Sequence, residues 1–165
     1  MIWNQTLVCV TDVPASSAWY CAVLGGVSGH GGDEYEQIVV DGELILQLHR
    51  ADVADHHGYL ADPSTAMGNG VALWFEVSDF EAAVARIRTC GATVQTEPHM
   101  NPNAGQHEIW LRDPDGYLVV LAGPSVGGLR HPGERRDLTT DACRSSGTQR
   151  CRRRTKVRYP VRGRQ

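Results

Sequence analysis

The chain has 165 residues, which suggests one domain or two small fused modules, and its 41% of hydrophobic residues is enough for an ordinary core. We expect no membrane association, because no apolar run is long enough to cross a bilayer and the first residues lack the basic-then-apolar pattern of a signal peptide. The net charge of −3 combines −12 over residues 1–129, with 4 arginines and 16 acidic residues, and +9 over residues 130–165, with 12 basic and 3 acidic residues. Since the acidic part repels phosphate, it is a poor candidate for binding nucleic acid.

The first half of the chain predicts a strand, a helix and two or three further strands. Asp12 is placed to begin the helix, with Pro14 tolerated in the first turn and Gly25 ending it. Asp41-Gly42 is a hairpin turn between two runs of alternating apolar residues. The predicted strands lie at 5–11, weakly at 27–30, and at 35–40 and 43–49.

Residues 51–69 break the periodicity and predict a connecting loop, after which the same pattern starts again. Ser78 to Glu81 resembles a capping box that opens a second helix, and Gly91 ends this helix. A loop is predicted at 98–105. The predicted strands of this half lie at 71–77, 92–97, 107–112 and 117–122.

The two halves repeat each other at nearly constant spacing. Asp12 and Asp79 open the two helices 67 residues apart, and the turns at Asp41-Gly42 and Asp115-Gly116 are 74 residues apart. The longer loop at 98–105 absorbs this difference of 7 residues. The order is therefore β-α-β-β-β twice, an α+β fold in which two curved sheets pair and leave a cleft between them.

Residues 125–165 have few apolar residues, no periodicity and many arginines, so we expect a disordered basic tail. The alternative is an arm that binds nucleic acid or anionic lipid. If the tail were an interaction module, its deletion would abolish function and leave the fold intact. The five cysteines are scattered and include no CxxC pair, which indicates reduced thiols and a cytoplasmic location.

One hairpin carries a family resemblance. Arg112-Asp113-Pro114-Asp115-Gly116-Tyr117, together with the repeat and the strand–Asp–helix openings at Val10-Thr11-Asp12 and Val77-Ser78-Asp79, resembles the vicinal oxygen chelate superfamily. This superfamily includes glyoxalase I, extradiol dioxygenases and bleomycin-resistance proteins. The resemblance covers residues 3–124 and implies tandem βαβββ modules, at about 3–50 and 70–123, that form a curved mixed sheet around a cleft.

The resemblance also implies four positions for the ligands of a divalent metal. Carried onto this chain, they are Gln5, Gln47, Ala72 and Val120. Ala72 and Val120 have no lone pair, and two amide oxygens are poor ligands for Zn²⁺ or Ni²⁺. We therefore predict no metal and no other cofactor at these positions.

A displaced metal site is the alternative. It requires His49, which shares a strand face with Gln47, to assemble with His107 and Glu108 in a shifted register. In that case the chain is a metal-dependent lyase, isomerase or dioxygenase, whose catalytic residues the sequence does not identify.

The leading hypothesis is a metal-independent protein that binds a small organic ligand, as the bleomycin-resistance branch of the superfamily does. Aromatic rings and a few convergent polar groups suit a planar ligand, and an acidic domain favours a cationic one. Trp74 and Trp110 are equally well explained as core residues. We expect an antibiotic or a metabolite as the ligand and a homodimer as the assembly, since exposed sheet edges favour pairing. The predicted ligand-binding residues are Gln5, Gln47, His49, Trp74, Glu76 and Trp110.

Overall fold

The computed structural model describes residues 4–54, 57–62 and 64–125. Within these residues the chain forms two helices and eight strands in the predicted order. They are β1 (Leu7–Val10), α1 (Val13–Leu24), β2 (Val27–Ser28), β3 (Tyr35–Val40), β4 (Glu43–Arg50), β5 (Ala72–Glu76), α2 (Phe80–Cys90), β6 (Thr93–Asn101), β7 (Gln106–Arg112) and β8 (Leu118–Ala122).

The strands form two mixed sheets of the same topology, which confirms the repeated βαβββ unit. The first sheet has the order β1-β4-β3-β2 and the second has the order β5-β8-β7-β6. In each sheet the first strand of the module pairs parallel with the last one, and the other neighbours are antiparallel. The sheets remain two separate four-stranded units.

Both helices begin and end by the same local chemistry. Asp12 and Asp79 are the N-caps, and each carboxylate accepts a hydrogen bond from the backbone N–H three residues later, at 2.9 Å. Gly25 and Gly91 end the helices in the left-handed conformation. The prediction that Asp79 opens the second helix is confirmed, whereas the predicted capping box of Ser78 to Glu81 is displaced by one residue, because Asp79 rather than Ser78 occupies the cap position.

The strand β6 is longer than its predicted extent of 92–97, and the predicted loop at 98–105 shrinks to a turn after Asn101. Pro98 lies inside the strand, at a register irregularity between Thr96 and His99. Because β6 is an edge strand and Pro98 falls at this irregularity, the strand tolerates a residue that has no backbone N–H to donate. A proline was therefore a misleading stop signal here.

The buried side chains of both modules form one hydrophobic core. It includes Tyr20 and Val23 of α1 and Ile87 of α2, and the two helices contact each other. The hairpin between β7 and β8 is tied to the first module, since the hydroxyl of Tyr20 donates to Asp113 at 2.8 Å and that of Tyr117 donates to the carbonyl of Cys9 at 2.9 Å. The Asp-Pro-Asp-Gly motif thus helps to join the modules.

The first module contains a buried carboxylate, Glu36, on the face of β3 that also carries Ile38. Burial alone raises the pKa of this group. Hydrogen bonds from the backbone N–H groups of Gly31 and His30 and from the hydroxyl of Ser28 outweigh that effect and hold the pKa of Glu36 at about 2. The carboxylate therefore orders the segment between β2 and β3 as an anion.

Between β4 and β5 the described residues form no helix or strand, as predicted for the loop at 51–69. The prediction of a disordered basic tail falls on residues 126–165, which lie outside the described part of the chain. In the part that is described, neither helix is long and apolar enough to span a membrane.

Candidate functional site

The candidate site lies on the faces of the two sheets that point away from the core, which we call the open faces. On β7, Ile109 and Leu111 belong to the core, so alternation places Glu108 and Trp110 on the open face. On β5 the core residue Leu73 places its neighbour Trp74 there. The open faces therefore hold most of the polar and aromatic residues that the sequence singled out.

A tryptophan pair dominates the open face of the second sheet. Trp74 on β5 and Trp110 on β7 are the strand partners of Val120 on β8, which lies between them. Their ring centroids are 6.5 Å apart in an edge-to-face arrangement. Val120 is fully buried, whereas Trp74 is 46% exposed. The pair thus presents an aromatic surface to solvent.

Glu108 fixes the orientation of Trp110. Its carboxylate is fully buried and accepts hydrogen bonds from the indole N–H of Trp110 at 2.9 Å and from the amide of Asn101 at 2.8 Å. The Nε2 atom of His99 lies 3.9 Å from the same carboxylate. Because the indole N–H is held by an oxygen two residues away on the same strand, the ring of Trp110 is pre-oriented.

Glu76 supplies a second carboxylate to this face. Glu76 and Glu108 both lie opposite Ala122, on its two sides. The amide of Gln106 donates to Glu76 at 3.1 Å and to the carbonyl of Gly123 at 2.9 Å. Two acidic side chains therefore lie beside the tryptophan pair.

The open face of the first sheet carries amides, a hydroxyl and imidazoles. The amide of Gln37 donates to the hydroxyl of Tyr35 at 2.9 Å, and this hydroxyl donates to the amide oxygen of Gln47 at 2.6 Å. The amide nitrogen of Gln47 donates to the backbone carbonyl of Gln5 at 3.2 Å. The amide oxygen of Gln47 is therefore already engaged by Tyr35.

His49 lies on β4 beyond this network and contacts His57 of the following segment. The two Nε2 atoms are 3.1 Å apart, and the ring centroids are 4.8 Å apart. Both rings line a cavity of about 360 Å³, together with Tyr35 and Glu34. The first sheet thus has its own concave site.

A second cavity, of about 500 Å³, lies between the modules. Ile45 lines it from the first module, and Trp74 lines it from the second. Its size falls within the usual range for small-molecule sites, about 300–1,000 Å³. A cleft between the modules is therefore present, and one member of the tryptophan pair borders it.

The four metal positions implied by the family resemblance do not fit a metal ion. Val120 is fully buried between the two tryptophans, and Ala72, on the neighbouring strand, also offers no donor atom. The oxygen of Gln47 accepts the hydroxyl of Tyr35, and Gln5 contributes its backbone carbonyl to Gln47. Residues 4–54, 57–62 and 64–125 contain no group of three or more His, Cys, Asp or Glu that could hold a metal.

The displaced set of His49, His107 and Glu108 does not assemble either. His107 and Glu108 are consecutive on β7 and point to opposite faces, and the ring of His107 packs at 5.8 Å from that of Phe80. His49 belongs to the other sheet. Alternation along β7 therefore separates two of the three proposed ligands.

The structure divides the six predicted site residues into two groups. Gln5, Gln47 and His49 belong to the first module, and Trp74, Glu76 and Trp110 lie on the second sheet.

The predicted ligand-binding set leaves out five residues that belong to the networks around one group or the other. Glu108 entered the sequence analysis only as a ligand of the displaced metal site. Strand alternation already contained a signal for three of the five, because Tyr35 and Gln37 share a face, as do Glu108 and Trp110. No local pattern indicated the positions of the remaining two, His57 and Asn101.

Comparison with known families gives one match. Residues 2–121 match the family model described as the Glyoxalase/Bleomycin resistance protein/Dioxygenase superfamily. Proteins of this superfamily generally bind small-molecule ligands and often form dimers. No curated protein sequence matches the chain.

Three solved structures with the same fold come from proteins with a stated name. A lactoylglutathione lyase from Agrobacterium tumefaciens has a TM-score of 0.58 and 19% identity, covering 78% of this chain and 97% of its own. A glyoxalase-related enzyme from Fulvimarina pelagi has a TM-score of 0.60 and 17% identity, covering 75% of this chain and 88% of its own. TioX from Micromonospora sp. ML1 has a TM-score of 0.59 and 17% identity, covering 74% of this chain and 98% of its own. At these identities the likeness shows the fold alone.

Proposed function

Because this chain belongs to the glyoxalase/bleomycin resistance protein/dioxygenase superfamily, we propose that it binds a small organic ligand in the cleft between its modules without a metal ion. Trp74 and Trp110 form the stacking surface for the ligand, and Glu76 and Glu108 provide the negative charge. Binding sequesters the ligand, an antibiotic or a metabolite, and no chemical step is assigned to it.

The observation that carries this proposal is the tryptophan pair on the open face. A large aromatic side chain that is 46% exposed beside a cavity of about 500 Å³ supports a binding role for Trp74. A core role accounts less well for this exposure. The hydrogen bond from Trp110 to Glu108 holds the second ring in place before a ligand arrives, which lowers the entropic cost of binding.

The charges next to the pair favour a cationic ligand. Glu76 and Glu108 lie on the same face as the rings, and residues 1–129 carry a net charge of −12. A cation over an aromatic face gains about 0.5–2 kcal/mol, depending on how far it is desolvated. A planar aromatic cation combines both interactions.

Metal independence rests on the donors at the superfamily positions. Ala72 and Val120 offer none, and the amide oxygen of Gln47 accepts the hydroxyl of Tyr35. In this proposal Gln5, Gln47 and His49 contribute polar contacts from the first module. A homodimer and a cytoplasmic location stay predictions from the sequence.

Calorimetric titration in the presence of EDTA tests the proposal. The probes are N-methylquinolinium, a planar aromatic cation, and quinoline, which is uncharged at pH 7.5. We expect the cation to bind more tightly than quinoline. Since a ring contact contributes about 0.5–1.5 kcal/mol beyond area burial, Trp74→Ala should weaken binding by about threefold to tenfold.

The matched control is Trp19→Phe, because Trp19 lies on α1 and packs against Tyr20 at 4.9 Å between ring centroids. It should leave the affinity unchanged. The proposal is wrong if the probes bind only after a divalent metal is added. It is also wrong if Trp74→Ala binds the probes as tightly as the control Trp19→Phe does.

A further inference from the structure

The ring geometry of the tryptophan pair restricts the shape of the group that it can hold. The rings of Trp74 and Trp110 are inclined at 72° with their centroids 6.5 Å apart, and the ring of His99 is inclined at 56° to that of Trp110, at 6.4 Å. No two of these rings are parallel, so they cannot enclose a flat molecule between two faces. The angle between the tryptophan rings instead favours a compact, rounded group that contacts both.

The surface beneath this angle is apolar, and carboxylates lie beside it. Val120 and Ala122 on β8 are fully buried. Val120 lies between the two tryptophans, and Ala122 lies between Glu76 and Glu108. Because residues two apart along a strand are only about 6.6 Å apart, a group that contacts the rings is close to both carboxylates.

Glu108 is a buried carboxylate whose charge has little compensation. It is fully buried, and its two hydrogen-bond donors, the amide of Asn101 and the indole of Trp110, are uncharged. Within the described part of the chain, His99 is the only basic side chain with a nitrogen within 4.0 Å of this carboxylate, at 3.9 Å. Since buried charges are usually paired, a cation bound beside the tryptophan pair supplies a missing counter-charge.

The surroundings of Glu108 also favour a cation that has no N–H groups. Its Oε1 already accepts from Asn101 and its Oε2 from Trp110, and solvent does not reach either oxygen. A primary ammonium is strongly hydrated and has three N–H donors to satisfy, so it loses hydration here without gaining acceptors in return. A quaternary ammonium has no donors, and its methyl groups pack on the ring faces.

We propose that the cationic centre of the ligand is a quaternary ammonium group, held in the angle between Trp74 and Trp110 with Glu108 as its counter-charge. A cation interacts with an aromatic ring when it lies within about 6 Å of the ring centroid. Because the two centroids are 6.5 Å apart, a single position satisfies both rings. The inference rests on the proposed function, since it concerns the same tryptophan pair, and it adds the chemical class of the bound group.

Titration of the full chain with three small probes in the presence of EDTA tests the inference. Choline carries the quaternary ammonium group, and ethanolamine has the same skeleton with a primary ammonium. The third probe is the uncharged alcohol that has a tert-butyl group in place of the trimethylammonium group of choline. The indole N–H resonances of Trp74 and Trp110 report binding, because NMR measures weak affinities. We expect choline to bind at least about tenfold more tightly than either of the other probes.

Substitutions separate the contribution of the rings from that of the charge. Trp74→Phe keeps an aromatic face and Trp74→Leu does not, so the affinity for choline should fall in that order. Glu108→Gln keeps an oxygen that can accept from Trp110 but removes the charge, so it should weaken choline binding at least about threefold and leave the uncharged alcohol unaffected. The matched control is Glu97→Gln, which removes the same charge from a carboxylate that pairs with Arg88 of α2, and it should bind choline normally.

The inference is overturned if choline binds no more tightly than ethanolamine, or if Trp74→Leu and Glu108→Gln bind choline as tightly as Glu97→Gln does. Should N-methylquinolinium still bind in a manner that depends on Trp74, only the inference fails and the proposed function stands. If neither N-methylquinolinium nor choline binds, both fail.

Discussion

The two modules share one framework but differ on their open faces. Each has an aspartate N-cap, a glycine C-cap and a parallel pairing between its first and last strands. The first sheet, however, presents side chains linked by hydrogen bonds from Gln37 to Tyr35 and from Tyr35 to Gln47. The second sheet presents two tryptophans beside a buried carboxylate. The framework follows from capping and alternation, whereas function resides in side chains that the framework leaves free to vary.

The largest expected effect comes from breaking the polar centre of the second sheet. Glu108→Ala removes a fully buried carboxylate and leaves the part-buried N–H groups of Trp110 and Asn101 without their acceptor, so we expect a loss of about 3 kcal/mol in the free energy of unfolding. Gln47→Ala, the matched change at a half-buried side chain of the first sheet, should cost about 1 kcal/mol. Urea denaturation measures both losses of stability. The near-UV circular dichroism signal of the tryptophans should weaken only in Glu108→Ala, because their rings are then less fixed in orientation.

Equal losses in Glu108→Ala and Gln47→Ala would contradict the contrast between a fully buried carboxylate and a half-buried amide. Unchanged near-UV circular dichroism in Glu108→Ala would show that the carboxylate does not orient Trp110.

An effect of about 2 kcal/mol is expected from the buried carboxylate of the first module. The pKa of Glu36 is lowered to about 2 in the folded chain, so its contribution is fully present above the unfolded pKa, about 4.3. That contribution is lost as the pH falls from this value through about 2. Glu36→Gln should therefore be less stable by about 2 kcal/mol at pH 7 and lose less stability between pH 5 and pH 2.

Chemical denaturation at several pH values checks this prediction. Parallel stability–pH curves for Glu36→Gln and the unchanged chain would show that Glu36 is not the group responsible. The comparison with Glu108→Ala, measured in the same way, separates a carboxylate that orders a loop from one that orders a site.

The smallest effect concerns the contact that joins the modules. Tyr20→Phe removes one buried hydrogen bond to Asp113, a group that still accepts from the backbone N–H atoms of Asp115 and Tyr117, so the cost should be about 1 kcal/mol. We expect the unchanged chain and Tyr20→Phe each to unfold in a single transition, because the two modules share one core. Two separate transitions would indicate that the modules fold independently.

Much of the fold was predictable because its signals are local. Asp12, Asp79, Gly25 and Gly91 set the helix limits, and the spacing of the two hairpin turns exposed the repeat. The exception was β6, in which Pro98 suggested an end that the edge position made unnecessary. Capping and turn residues therefore predict where an element ends, except where the position of a strand in its sheet decides whether a proline is tolerated.

The site was only half predictable because its contacts are not local. Trp74 and Trp110 were candidates on residue type, but their contact across Val120 depends on strand order and register. The approach of His57 to His49 depends on the path of the segment after β4, for which the sequence offers no periodic signal. Residue type suggests candidates, and pairing decides which of them meet.

Indole N–H spectra recorded in the presence of EDTA show whether a ligand binds on the tryptophan pair without a metal. With N-methylquinolinium added, we expect the resonances of Trp74 and Trp110 to shift together and saturate, while that of Trp19 does not move. Metal-free binding on the pair is ruled out if the shifts appear only after a divalent metal is added, or if the resonances of Trp74 and Trp110 stay unchanged.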